Sequence, residues 1–364
     1  MAQIDFDKAP FTVVWEITRA CALACLHCRA EAQPKRDPRE LTTEEGFRLI
    51  DEIKEFGSPI FVLTGGDPMM RRDLPDLIRY SKEKGLRVAL APSATALVTR
   101  KSMEMVKEAG IQRVSMSLDG HNAEVHDAFR QTPGSFKRTI GCLNAISEAG
   151  LSVQVNSTVS RYNVNYLNEL ADIVARHGAV QWSVFFLVPA GRGKAEDMIS
   201  AEQMEEVFNW LYDLSKRSPF DVKSTAAQHY RRVVIQRERA AAEARGEANP
   251  QLALAGAGYQ FQDGLNRPTR GVNDGNGFCF ISHIGEVCPS GFLPLVGGNV
   301  RERSLIDIYR NSQLFRDLRD PSKLKGKCGR CEFKVVCGGN RGRSYAVTGD
   351  YLAEEPYCVY QPPA

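Results

Sequence analysis

The sequence predicts an α/β fold, an incompletely closed barrel of six β/α units with a small cysteine-rich domain after it. Three observations predict this. Six short runs rich in β-branched and aromatic residues alternate with stretches of helical period, the pattern of parallel strands joined by right-handed crossovers. About 180 residues hold these units, which suits a partial barrel better than a closed eight-unit one. Nine of the ten cysteines fall in groups spaced like metal ligands, and only Cys142 stands apart.

Phe11–Thr18 (FTVVWEIT) reads as the first strand and runs straight into the first cysteine group. Thr42-Thr43-Glu44-Glu45 is a capping box that opens a helix to about Phe56, with Phe47, Ile50 and Ile53 near helical period. Pro59–Thr64 is the second strand and ends at the turn Gly65-Gly66-Asp67-Pro68. A helix near Leu74–Lys84, strand Arg87–Ala91, helix Lys101–Ala109 and strand Gln112–Leu118 follow. A helix near Phe136–Ala149, strand Ser152–Val159, helix Tyr166–His177 and strand Gln181–Val188 complete the series. Chemistry in such barrels sits at the C-terminal ends of strands. The cysteine loop, the Gly-Gly-Asp-Pro turn, Ser117-Leu-Asp119-Gly120, Asn156 and Pro189-Ala-Gly191-Arg192-Gly193 all fall there. Residues 11–195 therefore read as a partial (β/α)6 TIM-like barrel. Residues 196–254 read as a helical connector that closes with the solvated Arg237–Arg245, and 255–364 as the cysteine-rich domain. Gly256–Gly277, rich in Gly, Asn and Asp, reads as a mobile loop.

Bulk composition excludes several classes. Hydrophobic content of 43% and charged content of 25% are ordinary for a soluble globular protein. A net charge of +3 from mixed signs carries no nucleic-acid or membrane signature. No apolar run of about 18 residues exists, and the start lacks the basic and apolar regions of a signal peptide. A cytoplasmic protein is expected, and in a reducing compartment grouped cysteines favour metal over disulfide.

Cys21-x3-Cys25-x2-Cys28 gathers three thiolates on one loop, soft ligands for iron–sulfur clusters, copper(I) or zinc. Three is one short of a closed zinc site or a fully protein-ligated cubane, so a cubane here keeps one open iron. A zinc knuckle or reduced surface thiols are the other readings of these residues. The spacing matches without a gap the signature of the radical S-adenosylmethionine (radical SAM) enzymes. That resemblance implies that the open iron of a [4Fe–4S] cluster chelates the amino and carboxylate groups of SAM. An electron from the cluster then cleaves SAM to methionine and a 5′-deoxyadenosyl radical, which takes hydrogen from a substrate.

The same resemblance implies a set of SAM contacts. Gly65, Gly66 and Asp67 stand where the family has Gly-Gly-Glu, with Asp67 on the SAM ammonium at a shorter reach. His27 stands where an aromatic residue packs on adenine, and Ser117 and Asp119 where the ribose or carboxylate is touched. Arg130 stands where a guanidinium meets the SAM carboxylate, and Asn156 joins this set from its strand end. Ala91-Pro92-Ser93-Ala94-Thr95 departs from the commoner Asn-Gly of the family.

Cys328-x2-Cys331-x5-Cys337-x20-Cys358 supplies four thiolates, enough for a tetrahedral zinc or one four-iron cluster. After such a barrel it resembles the SPASM or twitch extension, which implies at least one auxiliary [4Fe–4S] cluster. The full SPASM pattern has a further cysteine where this chain has Arg341. Cys279-x8-Cys288, with Gly285 between, resembles the hairpin pair that feeds a second auxiliary cluster, with two thiolates evident.

Within the superfamily, Trp15-Glu-Ile-Thr-Arg-Ala-Cys21, His27-Cys28-Arg29-Ala30, Leu63-Thr64-Gly65-Gly66 and Ser344-Tyr-Ala-Val-Thr-Gly-Asp350 look most like the heme-biosynthesis branch. That likeness implies decarboxylation of a tetrapyrrole propionate, with the auxiliary cluster taking the remaining electron and a flavodoxin or ferredoxin as reductant. The substrate is expected between the barrel mouth and the cysteine-rich domain, with Arg192, Arg341 and Arg343 pairing its carboxylates. Two other readings stand beside it: a maturase of a ribosomal peptide, and a non-catalytic iron–sulfur or zinc sensor. About ten residues before the first strand leave no room for a peptide-recognition domain, which weighs against the maturase.

Overall fold

The computed structural model describes residues 5–246 and 271–363. Seven parallel strands lie side by side in chain order. They are β1 (Thr12–Glu16), β2 (Ile60–Thr64), β3 (Arg87–Leu90), β4 (Arg113–Ser117), β5 (Ser152–Val159), β6 (Gln181–Phe186) and β7 (Asp221–Thr225). On the other side of β1 lie β8 (Phe278–Ile281), parallel to it, then β9 (Glu286–Cys288) and β10 (Gly298–Asn299), both antiparallel to their neighbours. Among the described residues these form one ten-stranded sheet.

Helices α1 (Thr43–Glu55), α2 (Leu74–Glu83), α3 (Arg100–Ala109), α4 (Ala123–Arg130), α5 (Ser135–Glu148), α6 (Leu167–Arg176), α7 (Ala201–Ser215) and α8 (Tyr230–Ala244) make the crossovers. The short helices α9 (Leu305–Asn311), α10 (Gln313–Arg319), α11 (Gly326–Arg330) and α12 (Arg341–Thr348) belong to the C-terminal region.

Side chains of a strand alternate between faces, and here the two faces differ in chemistry. Val13, Trp15, Phe61, Leu63, Val88, Leu90, Val114, Met116, Val153, Val155, Trp182, Val184 and Phe186 are buried in the core beside Leu49, Ile50 and Ile53 of α1, Leu77 and Ile78 of α2, and their counterparts. The opposite face presents Thr12, Thr64, Ser115, Gln154, Asn156 and Ser183 to cavities. Parallel strands covered by packing on both sides carry near-continuous apolar runs. A half-polar alternation in a parallel sheet therefore marks an interior built to hold something.

All six expected strands form, but residues 196–254 are not a purely helical connector. Strand β7 lies inside that span between α7 and α8, paired with β6 from Asp221↔Gln181 to Thr225↔Phe185. Its sequence, Asp-Val-Lys-Ser-Thr, has a single apolar residue, Val222, facing the helices, so it carries no hydrophobic run. The edge of β6 selects it by backbone hydrogen bonding. Helix α4 was also missed by periodicity. It is one short helix started by Asn122, whose Oδ1 accepts from the Val125 N–H (3.0 Å). Of the expected loop Gly256–Gly277, residues 256–270 lie outside the described residues. Among the described residues no helix is long and apolar enough to cross a membrane.

Candidate active site

The cysteine loop follows β1 and is clamped by backbone hydrogen bonds on several sides. Gly66 N–H donates to Thr18 O (2.7 Å), Asp67 N–H to Ala20 O (2.6 Å), Cys21 N–H to Gln33 O (2.8 Å) and Arg192 N–H to Cys28 O (3.0 Å). The glycines serve this clamp. A Cβ on Gly65 would lie 2.5 Å from Thr18 O, and one on Gly66 2.5 Å from Ala20 O. One on Gly191, whose φ of +60° already favours glycine, would lie 2.5 Å from Arg29 O. What approaches closely at the Gly-Gly turn is thus the backbone leading into the cysteine loop.

Cys21, Cys25 and Cys28 line a cavity of about 240 Å³ together with His27, Gly65, Gly66, Ser117, Arg130 and Asn156. Each sulfur has a donor or hydroxyl beside it. Leu23 N–H donates to Cys21 Sγ (3.4 Å), Ala32 N–H to Cys28 Sγ (3.5 Å) and Arg130 Nη1 to Cys25 Sγ (3.5 Å), while Ser93 Oγ lies 3.4 Å from Cys21 Sγ. Hydrogen bonds of this kind favour thiolate over thiol. Burial works the other way on Cys21 and raises its pKa, so the thiol keeps its proton until a metal cluster displaces it.

Arg130 is buried and forms an ion pair with Asp119, whose other oxygen accepts from the Thr158 N–H (2.6 Å). Burial alone would raise the Asp119 carboxyl, but Arg130 and His27 outweigh it and hold it below its usual range. His27 stacks flat on Phe129 with ring centroids 4.3 Å apart, and its Nε2 lies 3.8 Å from Asp119. Burial pushes its pKa down to about 4, so the ring is neutral at pH 7. Asp119 therefore braces Arg130 and His27 from behind, and those two, unlike Asp119, line the cavity.

Asp67 also departs from the expected direct contact. It is fully buried, outside the cavity lining, and its oxygens accept from Thr95 Oγ1 (2.7 Å), Met69 N–H (3.2 Å) and Ser93 N–H (3.4 Å). The carboxylate caps the turn after β2 and ties it to the 92–95 segment. Burial raises its pKa. A shorter side chain than glutamate turns inward here, which leaves the turn's backbone to face the cavity.

A second cavity of about 340 Å³ shares a wall with the first through Arg29, Thr64, Ser115, Asn156, Phe185 and Phe292. It runs along the polar inner face of the sheet to Lys223, Arg231, Asp274 and Asn340, between the barrel and the C-terminal region. Arg29 is a site residue that reasoning from motifs missed. Its Nη1 donates to Glu16 (2.9 Å) and its guanidinium lies 4.5 Å from the Phe280 ring centroid. Glu16 also faces His283 Nδ1 (3.1 Å). Burial would raise the Glu16 carboxyl, yet Arg29, His283 and Arg19 hold it at about 2. The signal was available: Glu16 ends β1 on the inward-facing register of Thr12 and Val14, where a carboxylate needs a cation.

Cys328, Cys331, Cys337 and Cys358 all line one small cavity of about 30 Å³. Glu355 N–H donates to Cys328 Sγ (3.3 Å) and Gly339 N–H to Cys337 Sγ (3.4 Å). Burial raises the thiols of Cys337, to about 12, and of Cys358. Among the described residues no three His, Cys, Asp or Glu side chains converge to hold a single metal ion. Each thiol set shares a cavity instead of a point, which suits a four-iron cluster, whose ligands bind separate irons, better than one tetrahedral zinc.

Cys279 and Cys288 do not come together as a ligand pair. Cys288 stands opposite Phe280 in the β8–β9 ladder, so it shares that residue's face. Cys279, one residue away, points to the other face and is packed in the core with Ile281 and Val287. The three arginines expected to meet substrate carboxylates are likewise engaged by the protein. Arg341 donates to Ala353 O (2.6 Å), Tyr351 O (3.2 Å) and Cys328 Sγ (3.9 Å). Arg343, fully buried, pairs with Glu355 (3.3 Å) and donates to Phe186 O, Leu187 O and Ala226 O. Arg192 donates to Cys25 O (3.0 Å) and Ala32 O (3.3 Å), which makes it part of the loop clamp.

Comparison with known proteins agrees with this geometry. Residues 15–174 match the model of the radical SAM superfamily, and residues 273–332 match that of an iron–sulfur cluster-binding domain, SPASM. An AdoMet-dependent heme synthase of Methanosarcina barkeri is 42% identical over 99% of this chain and 99% of its own length. One of Oleidesulfovibrio alaskensis is 44% identical over 98% of this chain and 89% of its own. Among solved structures, Streptococcus suis SuiB bound to S-adenosylmethionine superposes with a TM-score of 0.71 at 15% identity, covering 97% of this chain and 78% of that one, a likeness of fold. The sensor reading is thereby set aside, because the chain is an enzyme that uses SAM, a [4Fe–4S] cluster and an auxiliary iron–sulfur domain. Three thiols on a large cavity, four around a small one and full-length likeness to heme synthases lead to one assignment: this chain belongs to the radical SAM superfamily, in the family of the AdoMet-dependent heme synthases.

Proposed function

We propose that this enzyme oxidatively decarboxylates propionate side chains of an iron-bound tetrapyrrole, a coproporphyrin, late in heme formation. The observation that carries this reading is the second cavity. It adjoins the cysteine cavity, offers Phe11, Phe278, Phe280 and Phe292 to a flat macrocycle, and carries Arg29 at the shared wall. Each propionate would give up one hydrogen atom, one electron and carbon dioxide, and a vinyl group would remain. Cys21, Cys25 and Cys28 would hold the cluster that, with SAM, supplies the radical for hydrogen abstraction. Cys328, Cys331, Cys337 and Cys358 would hold the auxiliary cluster, an acceptor for the electron.

The chain's own side chains have separable tasks in this reading. The backbone of Gly65 and Gly66, with Ser117, Asn156, Arg130 and the neutral ring of His27, would contact SAM. Arg29 would orient a substrate carboxylate toward that site, and Glu16 would hold Arg29 in place. A flavodoxin or ferredoxin would supply the starting electron in the cytoplasm, a compartment that suits ten unpaired cysteines.

The test is to incubate reduced, reconstituted enzyme and SAM with iron-coproporphyrin and follow the product mass. Successive losses of carbon dioxide and hydrogen are expected from the free acid and none from its methyl ester. Arg29→Gln should weaken substrate binding about tenfold or more, since a charge-assisted hydrogen bond contributes about 1.5–3 kcal/mol. Unchanged porphyrin mass alongside modification of a peptide would replace this reading with the maturase.

A further inference from the structure

His229 stands just before α8 and is 1% exposed. Neither of its ring nitrogens has a hydrogen-bond partner within the protein. Buried imidazole nitrogens are polar groups that need partners, so this ring has an unmet requirement. The same ring lines the cavity of Cys328, Cys331, Cys337 and Cys358. The ring is held edge-on to Phe208 with centroids 4.7 Å apart. Its nearest charged groups, Glu355 and Arg343, are already paired with each other. The cations that line the cavity are engaged as well: Arg232 with Glu205, Lys327 with Cys358 O and Lys334 with Gly329 O (3.0 Å).

We infer that His229 is built to donate a ring N–H to the auxiliary cluster, to one of its sulfides or ligating thiolates, and so sets the potential of that cluster. An imidazole has a ring N–H to give whichever of its two nitrogens carries the proton. Hydrogen bonds to cluster sulfur stabilise the reduced, more negative state and raise the potential. His229 is thus a positioning and tuning residue. Its action falls on the C-terminal cluster alone, because it does not line the cavity of Cys21, Cys25 and Cys28.

The test uses anaerobically reconstituted full-length protein carrying both clusters, compared with His229→Leu, His229→Asn and His229→Gln. Leucine removes the donor, whereas asparagine and glutamine place an N–H near Nδ1 and Nε2 respectively. In a redox titration read by electron paramagnetic resonance, the auxiliary signal of His229→Leu should move to more negative potential and change its g-values. One of the two amide variants should restore it in part. The signal of the SAM-binding cluster in each variant is the control for folding. If iron content is full and the auxiliary potential of His229→Leu equals that of the parent, the inference fails. If His229→Leu loses the auxiliary iron, His229→Phe, which fills the space without a donor, takes its place, and a parental potential in that variant means that the residue only fills space and the inference fails again.

Discussion

The two cysteine sites differ in how much of the space around them is their own. The loop Cys21–Cys28 opens on about 240 Å³ that it shares with polar groups from several strand ends. The C-terminal four surround about 30 Å³. The first is held in shape from outside, by backbone carbonyls that grip neighbouring turns through Gly65, Gly66 and Gly191. The second is held from within, by buried charges that reach from α12 to Glu355 and to the ends of barrel strands. A site that must admit a ligand leaves one position unfilled and spends its framework on the rim. A site that must only hold a cluster needs room for little else.

The largest effect expected is the loss of the open site. Replacing Cys21, Cys25 and Cys28 together by alanine should remove about four irons and all reductive SAM cleavage. The Mössbauer signature of the auxiliary cubane should survive. Unchanged cleavage, or loss of all iron at once, would erase the contrast between independent sites.

Next in size is the framework of the second site. Arg343→Met leaves Glu355 buried without its partner, and breaking such a pair typically costs about 3–5 kcal/mol. Chemical denaturation should show that loss, with auxiliary iron released before the barrel cluster. A cost under about 1 kcal/mol would mean that the Arg343 network does not hold the two regions together.

The smallest effect sharpens the role of the turn after β2. Asp67→Asn keeps an acceptor for Met69 and Ser93 and should leave SAM affinity within about twofold, because the carboxylate faces away from the cavity. A drop corresponding to about 1.5–3 kcal/mol in SAM binding would show that Asp67 reaches the ammonium after all.

Which of these features could be read in advance follows from what a sequence encodes. The six barrel strands were legible because each sets apolar residues against its helices, as in Val13 and Trp15 or Phe61 and Leu63. Strand β7 was not, since Asp221–Thr225 faces a polar interior with Lys223 and has Val222 as its one apolar residue on the other side. Both thiol sets were legible by spacing. The failure of Cys279 and Cys288 to pair was not, because a ladder register decides which face each residue takes. Motif position named Asp67 and Asp119 as ligand contacts, and place near the expected mouth named Arg341 and Arg343. The direction in which a side chain turns depends on partners that only the fold assembles, and all four turn to the protein itself.

The pairing of β1 with β8 has a consequence for how the protein is made. Thr12 registers with Phe278 and Trp15 with Ile281, so the first strand of the barrel completes its hydrogen bonding with a segment synthesised near the end of the chain. At about 5–20 residues per second, a growing polypeptide carries that edge open for roughly 13 to 50 s. During this time one edge of the strand that feeds the cysteine loop, the edge away from β2, lacks its partner, an invitation to pair with the wrong neighbour. Contacts this distant in sequence also slow folding. Truncation before β8 would leave that edge open for good, beside the three thiols of the cysteine loop.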